Sequence, residues 1–158
     1  MVKRRRIVIA LLELALVAAL LIYALGPRTL GQATGHVYDR AGLTAVEVEM
    51  TAANQAVEDG AHVLSLTPGT EECSGLLDLL ERRYIPYYLD TGWEENIRSY
   101  AVVITLTTED GECTVSFTED HPIRITSTKL DRAKTYRVWS GTFQGETLAY
   151  LLALEENA

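Results

Sequence analysis

Hydrophobic and polar positions divide this chain into two unlike parts. From Ile7 to Leu25 nineteen residues run with seven Leu, three Ile, two Val, five Ala, Tyr23 and Glu13, preceded by Lys3-Arg4-Arg5-Arg6. After that the pattern changes to short alternating runs. Nineteen helical residues at about 1.5 Å each span roughly 28 Å, close to the hydrocarbon thickness of a bilayer. The twelve Leu, Ile and Val side chains contribute about −4 to −7 kcal/mol to insertion, which exceeds the cost of about +3 for one acidic residue. The block is therefore expected to enter a membrane.

Past residue 42 the alternation has period two in several places. Val46, Val48 and Met50 alternate with Glu47, Glu49 and Thr51, and His62, Leu64 and Leu66 alternate with Val63, Ser65 and Thr67. Each run predicts a strand with one wet face. Thr67-Pro68-Gly69-Thr70-Glu71-Glu72 carries helix-start chemistry, and Cys73, Leu76, Leu77, Leu80 and Tyr84 follow at helical spacing until Pro86. Tyr100, Val102, Ile104 and Leu106 predict the clearest strand. Glu109-Asp110-Gly111 turns it into a return strand bearing Cys113, Val115 and Phe117. Ile123 with Ile125, and Tyr136 with Val138, mark two more strands, and Leu148, Leu151 and Leu152 a closing helix over about 144–155. The expected fold is α+β: an N-terminal transmembrane helix, then a small antiparallel sheet with two helices in the order β-β-α-β-β-β-β-α.

The domain reading is a basic cytoplasmic tip over 1–6, a signal-anchor helix over 7–25, a tether over 26–42 containing Pro27, Gly31, Gly35 and Gly42, and an extracytoplasmic domain over 43–158. Basic residues before the helix outnumber those shortly after it, where only Arg28 and Arg40 occur, so the positive-inside rule keeps the N-terminus in the cytoplasm. Tyr23 stands where an interfacial aromatic anchor belongs. The alternative is secretion after signal cleavage, with Ala24-Leu25-Gly26 or Gly31-Gln32-Ala33 as the site. The long apolar run and Pro27 weigh against it. Glu13 has two readings, a contact with a polar group on a partner helix or a partner for Arg6 seven residues earlier on the same face.

Charge sharpens the picture. Without the four N-terminal cations and Glu13, the remaining chain has ten Lys/Arg against twenty-one Asp/Glu, a formal charge near −11. So acidic a surface repels phosphate backbones, and no nucleic-acid partner is expected. His36, His62 and His121 each lack a second histidine or cysteine two to four residues on, so neither metal nor cofactor is expected. Cys73 and Cys113 have two readings outside the membrane: a disulfide, or two separate apolar core positions. An exported enzyme built on Cys113 with His121 and Asp120 is a minor alternative, since a buried strand cysteine is the commoner situation.

The best candidate binding surface is Tyr84-Ile85-Pro86-Tyr87-Tyr88-Leu89 with Trp93, an aromatic run around a proline, flanked by Arg82, Arg83 and Arg98. Tyr84, Tyr87, Tyr88, Trp93, Arg83 and Arg98 are its candidate residues. The layout, a short basic tip, one span and a small α+β ectodomain, resembles uncharacterised single-pass extracytoplasmic membrane proteins of Gram-positive bacteria. That resemblance implies a cell-membrane location and an envelope-protein partner. The expected function is a membrane-anchored binding or interaction module. Its alternative is an accessory subunit of an envelope complex acting through the transmembrane helix.

Overall fold

The structure is a computed structural model that describes residues 2–52, 61–88, 100–118 and 121–156. It is α+β, with one antiparallel sheet of seven strands and four helices among these residues. In chain order the elements are α1 (Val2–Leu25), α2 (Leu30–Ala33), β1 (Leu43–Ala52), β2 (His62–Leu66), α3 (Glu71–Leu80), β3 (Tyr84–Pro86), β4 (Tyr100–Thr108), β5 (Gly111–Thr118), β6 (Ile123–Ser127), β7 (Lys134–Val138) and α4 (Phe143–Glu156). The sheet order is β2-β1-β4-β5-β6-β7-β3.

The stretch Ile7–Leu25 of α1 is long and apolar enough to cross a membrane, as a span or as a signal sequence, and none of it is buried in protein. The sheet buries one face. Val46, Val48 and Met50 of β1, Val102, Ile104 and Leu106 of β4, and Cys113, Val115 and Phe117 of β5 all point into a single core, while Glu47, Glu49 and Ser65 remain wet. The period-two alternation forces this outcome, because successive strand side chains face opposite sides. Helix α3 starts where Thr70 accepts the Cys73 amide and Glu71 and Glu72 complement the dipole. Its Cys73, Leu76, Leu77 and Leu80 are buried, and α4 adds Phe143, Thr147 and Leu151. The two-residue turn Glu109-Asp110 joins β4 to β5, and Gly111 takes φ 132°, a conformation that favours glycine.

Two parts of the fold differ from the sequence expectation. Tyr84 does not continue α3. The helix ends at Leu80, Glu81 turns out of helical geometry, and Tyr84–Pro86 pairs with β7 as a seventh strand at the sheet edge. Pro86 lacks an amide hydrogen and is tolerated at an edge. The second difference lies in the stretch read as a tether. Leu30, Ala33, Thr34, Val37 and Tyr38 are all buried. Thr29 and Gln32 form a reciprocal capping box on α2, which fixes this short turn locally. Side chains then bind the segment to the body. Ser127 donates to the Thr34 carbonyl at 2.6 Å, Thr108 to the Val37 carbonyl at 2.9 Å, and the Tyr38 hydroxyl to Glu81 at 2.9 Å. A glycine-containing, weakly patterned stretch reads as a linker because its burial depends on partners roughly forty to ninety residues away.

The end of α1 is thereby brought against the sheet. Arg28 forms a backbone bridge with Tyr84, with the two amide–carbonyl bonds at 2.7 and 2.8 Å, on the edge of β3 that faces away from β7. The hydroxyl of Tyr88 donates to the Ala24 carbonyl at 2.9 Å. Only the short segment after Leu25 separates the apolar helix from the folded body, and that segment is itself hydrogen-bonded to the sheet edge.

Candidate functional site

The aromatic run divides at β3. Tyr84 is fully buried, with its ring edge-on to Tyr136 and to Phe143 at centroid distances of 6.1 and 6.3 Å. Its hydroxyl donates to the Leu80 carbonyl at 2.6 Å, and burial raises its pKa. Tyr84 is therefore a core residue and not part of a binding surface. Strand alternation puts the neighbouring side chains elsewhere. Tyr87 is half-buried and Tyr88 is 68% exposed. Trp93 and Arg98 lie outside the described residues. Arg83 is exposed but borders a different depression, beside Tyr38, Arg40, Glu81 and Arg82.

Tyr87 and Tyr88 line a cleft of about 320 Å³ together with Tyr136, Arg28, Arg132 and Lys134. Its floor is β7 and its walls are β3 and the chain leaving α1. The register fixes this arrangement: Pro86 stands opposite Tyr136, and the Tyr87 amide bonds the Thr135 carbonyl at 2.9 Å. Arg28 reaches the same place through its backbone bridge to Tyr84, and the Tyr136 hydroxyl donates to the Ala33 carbonyl at 3.4 Å. Burial raises the pKa of Tyr136, and Arg28 partly offsets that rise. On the adjoining surface the Arg137 guanidinium covers the Tyr87 ring at 4.1 Å. Such a stack holds the tyrosine ring in place and contributes roughly 0.5–1 kcal/mol at an exposed site.

Charge separates this cleft from the larger depression of about 410 Å³ beside Tyr38. There two of the three cations are already used. Arg40 pairs with Asp78 at 2.6 Å and Glu81 at 3.1 Å, and Arg82 pairs with Glu146 at 3.4 Å. In the cleft beside the end of α1 no carboxylate belongs to the lining, and Arg28, Arg132, Lys134 and Arg137 have no ion pair among the described residues. Three available cations in the lining of one small volume suit an anionic group that accepts hydrogen bonds.

Sequence reasoning singled out Tyr87 and Tyr88 but missed the cations. Beyond Arg82, Arg83 and Arg98, the residues Lys129, Arg132, Lys134 and Arg137 place four of the ten basic residues after residue 26 within nine positions. That density was a readable signal. Its meeting with Tyr87 and Tyr88, some fifty residues earlier, depends on β7 pairing with β3 and was not readable. Trp139, 83% exposed just beyond β7, was likewise passed over.

The cysteines resolve against both chemical readings. Cys73 and Cys113 are free and buried in separate core positions, not joined as a disulfide. Burial, aided by the charge of Glu112, pushes the Cys113 thiol up to about 12, so it is a neutral hydrophobe at physiological pH rather than a nucleophile. Cys113 stands opposite Ser127, and His121 lies six residues before Ser127, roughly 20 Å away along an extended strand at about 3.3 Å per residue. The two cannot form a thiolate–imidazole pair, and Asp120 lies outside the described residues. Within α1 Glu13 and Tyr23 are both exposed, Tyr23 near the end of the helix next to the folded body. A Glu13–Arg6 pairing lies outside the described side chains.

With this geometry as the basis for comparison, no protein-family model matches the chain, and neither curated proteins nor solved structures contain a match to it.

Proposed function

We propose that this protein is a membrane-anchored extracytoplasmic binding module, fixed by α1 and presenting the Tyr87–Tyr88 cleft to another component of the cell envelope. The observation that carries the reading is the position of that cleft. It is bounded by the chain emerging from the apolar helix, and one of its rings is hydrogen-bonded to Ala24 of that helix. A site built around the end of an anchor meets whatever lies at the membrane surface. The excess of basic residues before Ile7 supports an N-terminus in the cytoplasm and a domain outside. Retention of α1 as an anchor, rather than its removal as a signal, is supported by the integration of residues 28–38 into the core. Cleavage after Gly31-Gln32-Ala33 would cut within a buried turn.

The test is crosslinking of the full chain in its own membrane, followed by recovery of the attached component. Tyr87→Ala with Tyr88→Ala is expected to lower recovery by about tenfold, the range for loss of an aromatic anchor at an interface. Val63→Ala, on the remote strand β2, is expected to change nothing. Undiminished recovery with the tyrosine pair would refute the cleft as the binding face. A second reading, an accessory subunit acting through its span, is favoured by Glu13, which is exposed on α1 and has no ion pair among the described residues. In that case replacing residues 7–25 with poly-leucine would abolish recovery and the tyrosine pair would not.

A further inference from the structure

We infer that the cleft between β3, β7 and the exit of α1 holds the phosphate of an anionic phospholipid headgroup in the leaflet from which the domain emerges. This inference rests on the anchored binding-module reading and names the ligand of its site. Three observations lead to it: height, chemistry and size.

Height comes first. A bilayer of about 40–45 Å with a hydrocarbon core of about 30 Å leaves a headgroup layer of roughly 5–8 Å on each side. Arg28 lies three residues past Leu25, the end of the apolar run, so even a fully extended chain carries it at most about 10 Å beyond the helix. The bond from the Tyr88 hydroxyl to the Ala24 carbonyl holds the far wall of the cleft at the same level. Both walls therefore stand in or just above the phosphate layer when α1 spans the membrane.

The chemistry is that of a phosphate site. Arg28 and Arg132 offer planar forks suited to two phosphate oxygens, Lys134 adds a point charge, and the Tyr87 phenol can donate to a remaining acceptor, the Tyr88 proton being committed to Ala24. No carboxylate lines the cleft to compete for these donors. The Arg28 backbone is already fixed by its bridge to Tyr84, so no chain ordering is needed on binding. Against this stands the domain's formal charge near −11, which repels an anionic surface. Screening settles the balance. At physiological ionic strength the Debye length is about 8 Å, so charges on remote strands are largely screened while cations in contact with the phosphate are not.

Size narrows the ligand. A volume of about 320 Å³ is at the small end of ligand pockets and matches a lipid headgroup.

The experiment uses the full chain in neutral detergent, titrated separately with phosphatidylglycerol and phosphatidylcholine, with bound lipid counted by native mass spectrometry. Phosphatidylglycerol is expected to bind about tenfold more tightly than phosphatidylcholine. Arg132→Gln with Lys134→Gln should remove that preference, since charge-assisted bonds carry it. Both side chains are exposed and outside every ion pair among the described residues, so this variant keeps the fold, which an unchanged thermal midpoint verifies. Arg83→Gln with Arg124→Gln makes the same charge change elsewhere and is expected to leave the preference intact. Equal loss in both variants would show a general charge effect and overturn the inference, as would loss in neither. Displacement of phosphatidylglycerol by millimolar inorganic phosphate would also overturn it, by assigning the site to free phosphate. If lipid preference fails while crosslinking through Tyr87 and Tyr88 persists, the ligand assignment falls and the binding-module reading stands.

Discussion

Tyr84→Ala is expected to destabilise the protein by about 3–5 kcal/mol, the cost of removing a fully buried aromatic from a packed core. The position concentrates several kinds of support. The ring has no exposure and packs edge-on against Tyr136 and Phe143, and its hydroxyl satisfies the Leu80 carbonyl just before α3 terminates. Its backbone bonds Arg28 on one side and its strand pairs with β7 on the other. Truncation leaves a cavity beneath the cleft and removes one of the two donors to the Leu80 carbonyl, which keeps the Arg82 amide at 2.8 Å. Urea unfolding of the full chain in detergent, followed by near-ultraviolet circular dichroism, reads the loss as a lower midpoint. Tyr84→Phe isolates the hydroxyl and should cost about 0.5–1.5 kcal/mol, the net value of one hydrogen bond, since the Leu80 carbonyl keeps the Arg82 amide. A loss below about 1 kcal/mol for Tyr84→Ala would mean that the ring is not in the core.

The second large effect concerns the apolar helix α1. Leu16→Arg with Val17→Arg places two charges near the middle of Ile7–Leu25. Each arginine costs about 2.5–3.5 kcal/mol at the centre of a span, and the lost apolar residues add about 1, so insertion becomes less favourable by roughly 6–8 kcal/mol. The native run has only about −4 to −7 kcal/mol from its Leu, Ile and Val residues, already reduced by Glu13. The variant therefore has no net drive to insert. Cell-free synthesis with membrane vesicles, followed by alkaline extraction, should find the native chain in the pellet and the variant in the supernatant. Leu16→Ala with Val17→Ala should still insert. Retention of the arginine variant in the pellet would mean that something other than hydrophobic insertion of α1 holds the protein.

Much of the fold was legible where local pattern and tertiary role agree. Strands β1, β4 and β5 alternate cleanly because one face of the sheet is buried and the other is wet. The start of α3 was readable from Thr70, Glu71 and Glu72, since capping and dipole effects act within one turn. The failures share a cause. Tyr84 sits at helical spacing after Leu80, and only its pairing with Arg28 and Val138 makes it a strand residue. Leu30, Ala33 and Val37 resemble scattered apolar residues in a linker until Thr108 and Ser127 arrive from distant strands to bond their backbone neighbours. The candidate site was half legible for the same reason. Tyr87 and Tyr88 stand out in one dimension, and the cations at Arg132 and Lys134 stand out once counted. Their union with Arg28 is a property of the sheet edge.

The account turns on the cleft lying at the membrane surface beside the exit of the anchor, and one measurement addresses that placement directly. A nitroxide on Arg132→Cys, in the full chain reconstituted into bilayers, can be tested for collision with a nickel chelate carried on lipid headgroups and with the same chelate free in solution. Cys73 and Cys113 are buried and do not compete for the label. The account expects strong relaxation by the headgroup-bound chelate at position 132. Relaxation by the soluble chelate alone would place the cleft away from the membrane and contradict it.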